Sequence, residues 1–155
     1  MPLHVVLYEP EIPPNTGNII RLCANAGAHL HLIEPLGFEL DDTRLRRAGL
    51  DYHEFAEVQV HRDLDIFHHT VQPARLFAIS TRGRRSTHAV SYRDNDALLF
   101  GPESRGLPQA VRDELGEDHV LRIPMRSDQR SLNLSNAVAI VLYEAWRQLE
   151  FTGGG

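Results

Sequence analysis

Residues Leu3–Gly27 read LHVVLYEPEIPPNTGNIIRLCANAG, and the fold can be reasoned outward from them. Leu3–Tyr8 (LHVVLY) is a short apolar run without strict alternation, as expected of a strand buried on both faces. A polar, proline-rich turn follows. Asn15 or Thr16 then caps a helix that carries Ile19, Ile20 and Cys23 and stops at Gly27, a residue suited to the left-handed position after a helix. This strand–helix unit recurs downstream. His29–Ile33 (HLHLI) reads as a strand, with Pro35 and Gly37 as breakers. A short Arg-rich helix is expected from Asp41 or Asp42 to near Gly49. A weaker strand lies near Val58–His61 and a helix near Asp63–Val71. Leu76–Ser80 (LFAIS) and Ala97–Phe100 (ALLF) are further apolar strands, a short helix follows Pro108, and Val120–Ile123 (VLRI) is the last strand.

The closing helix is the most regular element. Leu134, Ala137, Val138, Val141, Leu142, Ala145, Trp146 and Leu149 recur at three-and-four spacing, and Ile140 widens the stripe. Strand–helix alternation of this kind predicts one α/β domain over residues 1–155, a parallel sheet flanked by helices. The tail Gly153–Gly155 is expected to be disordered.

Composition narrows the chemistry. The chain has 155 residues, one domain by length. Acids outnumber bases 21 to 16, a net charge of -5, which argues against nucleic-acid binding by bulk charge but not against a local basic site. All 16 basic residues are Arg. Without Lys there is neither a P-loop nor a Schiff-base amine. The single Cys23 cannot form an internal disulfide or a cysteine-rich zinc site. The N-terminus lacks a basic signal-like region, and no run approaches the ~18 apolar residues of a membrane span, so a cytoplasmic location is expected.

Three stretches are too polar and glycine-rich for plain scaffold: Pro13–Gly27, Leu99–Pro108 and Ile123–Asn136. Each lies at a strand end or a helix start, where open α/β sheets build ligand sites. No G-x-G-x-x-G follows any strand. Gly101 and Gly106 have Walker-like spacing, but Leu107 and Pro108 stand where Lys and Ser/Thr are needed. Around Ser104, Pro102 replaces the first glycine of a nucleophile elbow.

Together these stretches resemble the three motifs of the SPOUT RNA methyltransferases. NTGNIIRLCANAG (Asn15–Gly27) looks like the first motif, LLFGPESRGLP (Leu98–Pro108) the second, and RIPMRSDQRSLNLSNAVAIVLYEAWRQ (Arg122–Gln148) the third. The likeness covers nearly the whole chain. It is greatest to the small bacterial enzymes that methylate the ribose 2′-hydroxyl of the tRNA wobble cytidine or uridine. LDDTRLRRAGLDYHEF (Leu40–Phe55) looks like that subgroup too. The resemblance implies a deep C-terminal trefoil knot, S-adenosylmethionine bound bent among three crossing loops, a homodimer, and tRNA held at its anticodon stem-loop. Its rivals are a relative acting on ribosomal RNA and a non-catalytic RNA-binding or assembly protein.

Site residues follow from the same motifs. Ile79, Ile123, Met125 and Leu132 supply apolar walls at loop ends, and Gly101 lets a ligand approach the backbone closely. By resemblance, Ile79, Gly101, Ile123 and Ser131 contact the cofactor. The plainer alternative makes Ile79 and Ile123 strand-end core and Ser131 a helix cap. Arg21 is the expected catalytic residue, with Asn18 one helical turn before it and Glu103 and Asn133 in the other motifs. A guanidinium stays charged, so Arg21 is read as a fork that grips phosphate and orients the hydroxyl rather than as a literal base. Its alternative is a surface ion pair. RNA contact is expected from Arg44, Arg46 and Arg47, from Arg82, Arg84 and Arg85, and from Arg126 and Arg130. The bland alternative for the first cluster is a solvated helix face. His29 and His31 share a strand face, and a solvent-facing pair is expected there rather than a metal site.

Overall fold

A computed structural model describes residues 2–40, 57–128 and 131–155. The elements run β1 (His4–Tyr8), α1 (Pro13–Ala26), β2 (His29–Ile33), β3 (Gln59–His61), α2 (Leu64–Val71), β4 (Arg75–Ile79), β5 (Arg85–Ser86), β6 (Asp96–Phe100), α3 (Gln109–Leu115), β7 (Val120–Arg122) and α4 (Leu134–Gln148). Single 3₁₀ turns precede β6, at Thr87–Ala89, and β7, at Glu117–His119. The seven strands form one sheet in the order β3-β2-β1-β6-β4-β7-β5. Every described strand pair is parallel.

The non-alternating apolar strands are explained by two cores, one on each face. Val5, Leu7, Leu98, Phe100 and Leu121 pack with Ile19, Ile20 and Cys23 of α1 and with Val138, Val141, Leu142 and Ala145 of α4. Val6, Ile33, Ala78, Ala97 and Leu99 pack with Phe67 of α2 and with Leu107. Successive residues of β1 therefore serve opposite layers, and both faces are largely apolar.

Three local expectations need correction. α1 begins two residues before Asn15, with Pro13 at its first position, where a missing N–H costs nothing. Ile12 occupies the cap position and supplies no side-chain bond. The two-residue strand β5 carries no apolar pattern and escapes periodicity altogether. His29 is exposed as expected, but His31 is buried at 1% exposure. It lies between His4 and His61, its Nε2 3.0 Å from His4 Nδ1 and its Nδ1 2.9 Å from His61 Nε2. The Arg-rich helix expected after Asp41 lies outside the described residues. Gly27, in contrast, ends α1 at φ +71°, and Asp63 caps α2 through Ile66 N.

The last strand to form in sequence is inserted between two earlier ones. β7 pairs with β4 on one side and β5 on the other, although β4 and β5 are joined directly through residues 80–84. The joining segment must cross over β7 closely. A Cβ on Gly83 would lie 2.5 Å from the Leu121 carbonyl carbon, so only glycine fits the crossing. Ser80 N donates to Leu121 O at 2.8 Å, and an Arg122 guanidinium nitrogen donates to Thr81 O.

Candidate cofactor cleft

The carboxyl ends of β4, β6 and β7 open into one cleft of about 530 Å³. That volume suits a nucleoside-sized ligand. Ile79, Phe100 and Ile123 reach it from the strand ends, Gly101–Leu107 form one wall, and Met125 with Ser131–Leu134 form another. Ile12 and Asn15 close it from α1. All three polar stretches of the sequence thus meet at one place.

Their meeting is a hydrogen-bonded chain. Glu103 accepts from the backbone N–H groups of Glu11 at 2.8 Å and Ile12 at 2.9 Å, and from Asn15 Nδ2 at 3.3 Å. Asn15 Oδ1 accepts from Asn133 Nδ2 at 3.2 Å. Asn133 Oδ1 in turn accepts from Ser135 N and Oγ and from Asn136 N, capping α4. Glu103 therefore binds the N–H groups of the two residues that lead into α1, as the glutamate of a capping box binds the N-cap N–H, but from a loop 91 residues away. Its carboxylate also lies where negative charge favours a helix N-terminus.

Of the expected site residues, Ile79, Gly101, Glu103, Ile123, Met125, Ser131, Leu132 and Asn133 all line the cleft. Asn18 and Arg21 lie further along α1 and are not among the lining residues. Asn18 is exposed and Arg21 half-buried. The sequence offers Asn15 or Thr16 as the helix cap, and a capping role hides the part of Asn15 in the chain. Once α1 starts at Pro13, Asn15 falls inside the first turn with its side chain released for other partners. The role of Gly101 also changes. A Cβ there would lie 2.4 Å from Leu107 N and 2.5 Å from the Gly106 carbonyl carbon. Its own loop, rather than a ligand, occupies that space.

A second cluster borders the first. Ser104 donates from N and Oγ to Glu11 Oε1 at 2.8 and 2.7 Å, and Arg105 pairs with Glu9 at 3.2 Å. The bonds from Ser104 hold the Glu11 carboxyl below its ordinary range. Glu11, Ser104 and Arg105 carry no sequence signal beyond their place in polar loops. Among the expected RNA-contacting arginines, Arg82, Arg84, Arg85 and Arg126 are exposed. Arg84 pairs with Glu117 at 3.1 Å, and Arg85 donates to Asp118 O. Arg44, Arg46, Arg47 and Arg130 lie outside the described residues. Among the described residues no group of three His, Cys, Asp or Glu is placed to hold a metal, and no helix is long and apolar enough to cross a membrane.

Comparison with known proteins agrees with this geometry. The chain is 62% identical, over 151 residues, to the tRNA (cytidine(34)-2′-O)-methyltransferase of Escherichia coli K12, covering 97% of this chain and 96% of that one. A solved structure concerned with the 2-OH methylation of C/U34 on tRNA superposes with a TM-score of 0.88 at 48% identity, covering 96% of both chains. The AviRb methyltransferase of Streptomyces viridochromogenes, solved with the cofactor AdoMet, superposes at 0.82 with 28% identity, over 96% of this chain and 61% of that one. Residues 2–143 match the SpoU rRNA Methylase family, and the chain belongs to it.

Proposed function

We propose that this chain is a tRNA methyltransferase that transfers a methyl group from S-adenosylmethionine to the ribose 2′-hydroxyl of the wobble cytidine or uridine. The observation that carries the reading is the Glu103–Asn15–Asn133 chain, which draws all three motif stretches to one cleft. Identity of 62% to a wobble-cytidine enzyme over nearly the full length supplies the substrate.

The residues present fit the cofactor. Ile79, Ile123, Met125 and Leu132 offer an apolar slot for adenine, while Ser131 and the backbone of residues 101–107 offer polar partners. When bound, the cofactor supplies an activated methyl group on a sulfonium. The protein's own contribution is positioning, which can supply ~7–11 kcal/mol of such a barrier. Arg21 grips the phosphate beside the target ribose and orients the hydroxyl for in-line attack. Asn15, Glu103 and Asn133 fix the entry of α1 against the cleft, and hence the place from which Arg21 acts.

The finer reading has five further parts. The chain acts as a single domain over 1–155 and forms a trefoil knot. The support for the knot is β7 lying between β4 and β5, with Gly83 crossing it. The enzyme is a homodimer. It holds the anticodon stem-loop through Arg44, Arg46 and Arg47, aided by Arg82, Arg84, Arg85, Arg126 and Arg130. Because its substrate is cytoplasmic, so is the protein.

Mapping ribose methylation on unmodified tRNA incubated with the protein and S-adenosylmethionine tests the reading. Methylation at the wobble nucleotide is expected. Methylation of ribosomal RNA alone, or binding of tRNA without turnover, would overturn it. Arg21→Ala should lose about 2–4 kcal/mol of transition-state stabilisation and keep its affinity for S-adenosylhomocysteine in calorimetry.

A further inference from the structure

Two loops exchange carboxylates at the edge of the cleft. Glu103 takes the N–H groups of Glu11 and Ile12, and Glu11 takes the N–H and Oγ–H of Ser104. The hydroxyl also lies 3.0 Å from the second Glu11 oxygen, and Arg105 Nε is 3.8 Å away. Glu11 is braced from behind as well. A Cβ on Gly37 would lie 2.9 Å from Glu11 Cα, and Gly37 N donates to Pro10 O at 2.9 Å. The carboxylate therefore acts from a fixed backbone. The segment it holds, residues 102–105, is the wall of the cleft and the carrier of Glu103.

We propose that Glu11 is a positioning residue for methyl transfer: its carboxylate clamps Ser104 so that the cleft wall and Glu103 are presented in one geometry. The inference rests on the reading of the cleft as the S-adenosylmethionine site. Both bonds are charge-assisted, and charge-assisted bonds are the shorter and stronger kind. By holding the loop in place, they spare ligand binding the cost of ordering it. Glu11 is ionised throughout the neutral range as glutamates are, and the bonds from Ser104 lower its pKa further. Glu11 touches no reacting atom in this scheme and acts only through Ser104 and Glu103.

The test compares Glu11→Ala, Glu11→Gln and Ser104→Ala with the parent in three measurements. Hydrogen exchange at the Ser104 amide reads the clamp without any ligand. Calorimetry with S-adenosylhomocysteine reads the wall, and steady-state kinetics on tRNA separate kcat from KM. Glu11→Ala should lose protection at Ser104 while α4 keeps its own. Its affinity for S-adenosylhomocysteine should fall about threefold to tenfold, the range of an ordinary hydrogen bond or two. Its kcat should fall while KM for tRNA stays near the parent value. Glu11→Gln retains an acceptor oxygen and should recover most of both losses. Ser104→Ala keeps the N–H bond and should fall between, and adding it to Glu11→Ala should cost nothing more. Unchanged Ser104 protection, unchanged affinity, or additive effects in the double variant would each overturn the assignment. A parent protein that neither binds S-adenosylhomocysteine nor methylates tRNA would instead sink the functional reading, with the exchange data still judging the clamp.

Discussion

His4, His31 and His61 show how far a single side chain can depend on its neighbours. Asn95 Nδ2 donates to Gln72 O, which leaves its Oδ1 to accept from His4 Nε2 at 2.7 Å. The remaining protons are then assigned in order: His4 Nδ1 accepts from His31, and His31 Nδ1 accepts from His61. A second proton on His31 would set two N–H groups against each other, 3.0 Å apart or closer. The edges of Phe67 surround His31 and His61 without offering a counter-charge. Burial, and then the neighbouring rings His4, His61 and His29, push the His31 pKa down from 6.5 to about 3; burial also lowers His4 and His61. The folded state therefore resists protonation that the unfolded chain accepts below pH 6.5. Stability is full above that pH and declines as acid approaches the folded pKa. Denaturant midpoints measured from pH 8 down to pH 4 should fall steadily below pH 6.5, and His31→Gln should flatten that slope. A parent midpoint that is level across the range would refute the neutral chain. Asp96 is a second residue whose partners decide its worth. Its buried carboxylate binds Arg75 at 2.6 and 3.0 Å and Arg93 N at 2.8 Å. Asp96→Ala should cost about 3–5 kcal/mol by equilibrium unfolding, because Arg75 is left without its charge partner.

At the scale of elements, the governing contact is backbone against backbone. Gly83 meets Leu121 and Arg122 of β7 with no side chain between them, so no rotamer change can make room for a methyl group. Gly83→Ala should destabilise by at least the ~1–3 kcal/mol typical of overpacking, and each kcal/mol lowers Tm by about 2–4 °C at this size. Gly155→Ala, whose Cβ would meet nothing within 4 Å, should leave Tm unchanged in the same calorimetric scan. Equal melting of the two variants would show that the 80–86 segment can move off β7. Such crossings explain what could be read in the sequence and what could not. β1, β4 and β6 announce themselves as runs apolar on nearly every position, β2 as a short run of Leu and Ile between histidines, and α4 because its stripe is long. α2 is a local signal of the same kind. Nothing in ALLF or VLRI records that the later strand lies between two earlier ones, because insertion is a property of chain path rather than of composition. The cleft was legible as three polar, glycine-rich stretches at strand ends and helix starts, while Gly101 and Ser131 stood out within them by resemblance. Asn15 was not, because asparagine near a helix start is most simply a cap, and only the position of Pro13 releases it.

For the whole molecule, the described surface is least balanced along the outer face of α4. Ala145 and Val141 are fully buried in their own core, and Trp146 Nε1 is tied back to Thr152 O at 3.0 Å. These residues are used within the chain. Ile140 and Tyr143 remain more open: they are 38% and 40% exposed and three residues apart on one helix face, with the Tyr143 ring edge-on to Trp146 at 5.4 Å between centroids. Ile12 and Leu132, at 45% and 38%, add apolar surface at the rim of the cleft. A second copy packed on Ile140 would lie close to that cleft, since Ile140 is only about 9 Å along the helix from Leu134, which lines it. A dimer made this way brings a partner's arginines within reach of the same RNA. That would gather positive charge over one face of a dimer whose overall charge, twice -5, repels a polyanion. Light scattering on the parent at micromolar concentration should give twice 17.5 kDa. Ile140→Asp with Tyr143→Asp should give the single mass, bind S-adenosylhomocysteine as the parent does, and lose most turnover on tRNA. A parent that runs as a monomer removes the dimer from the account. A dissociated double variant that still methylates tRNA at the parent rate would instead leave each chain to hold its RNA unaided.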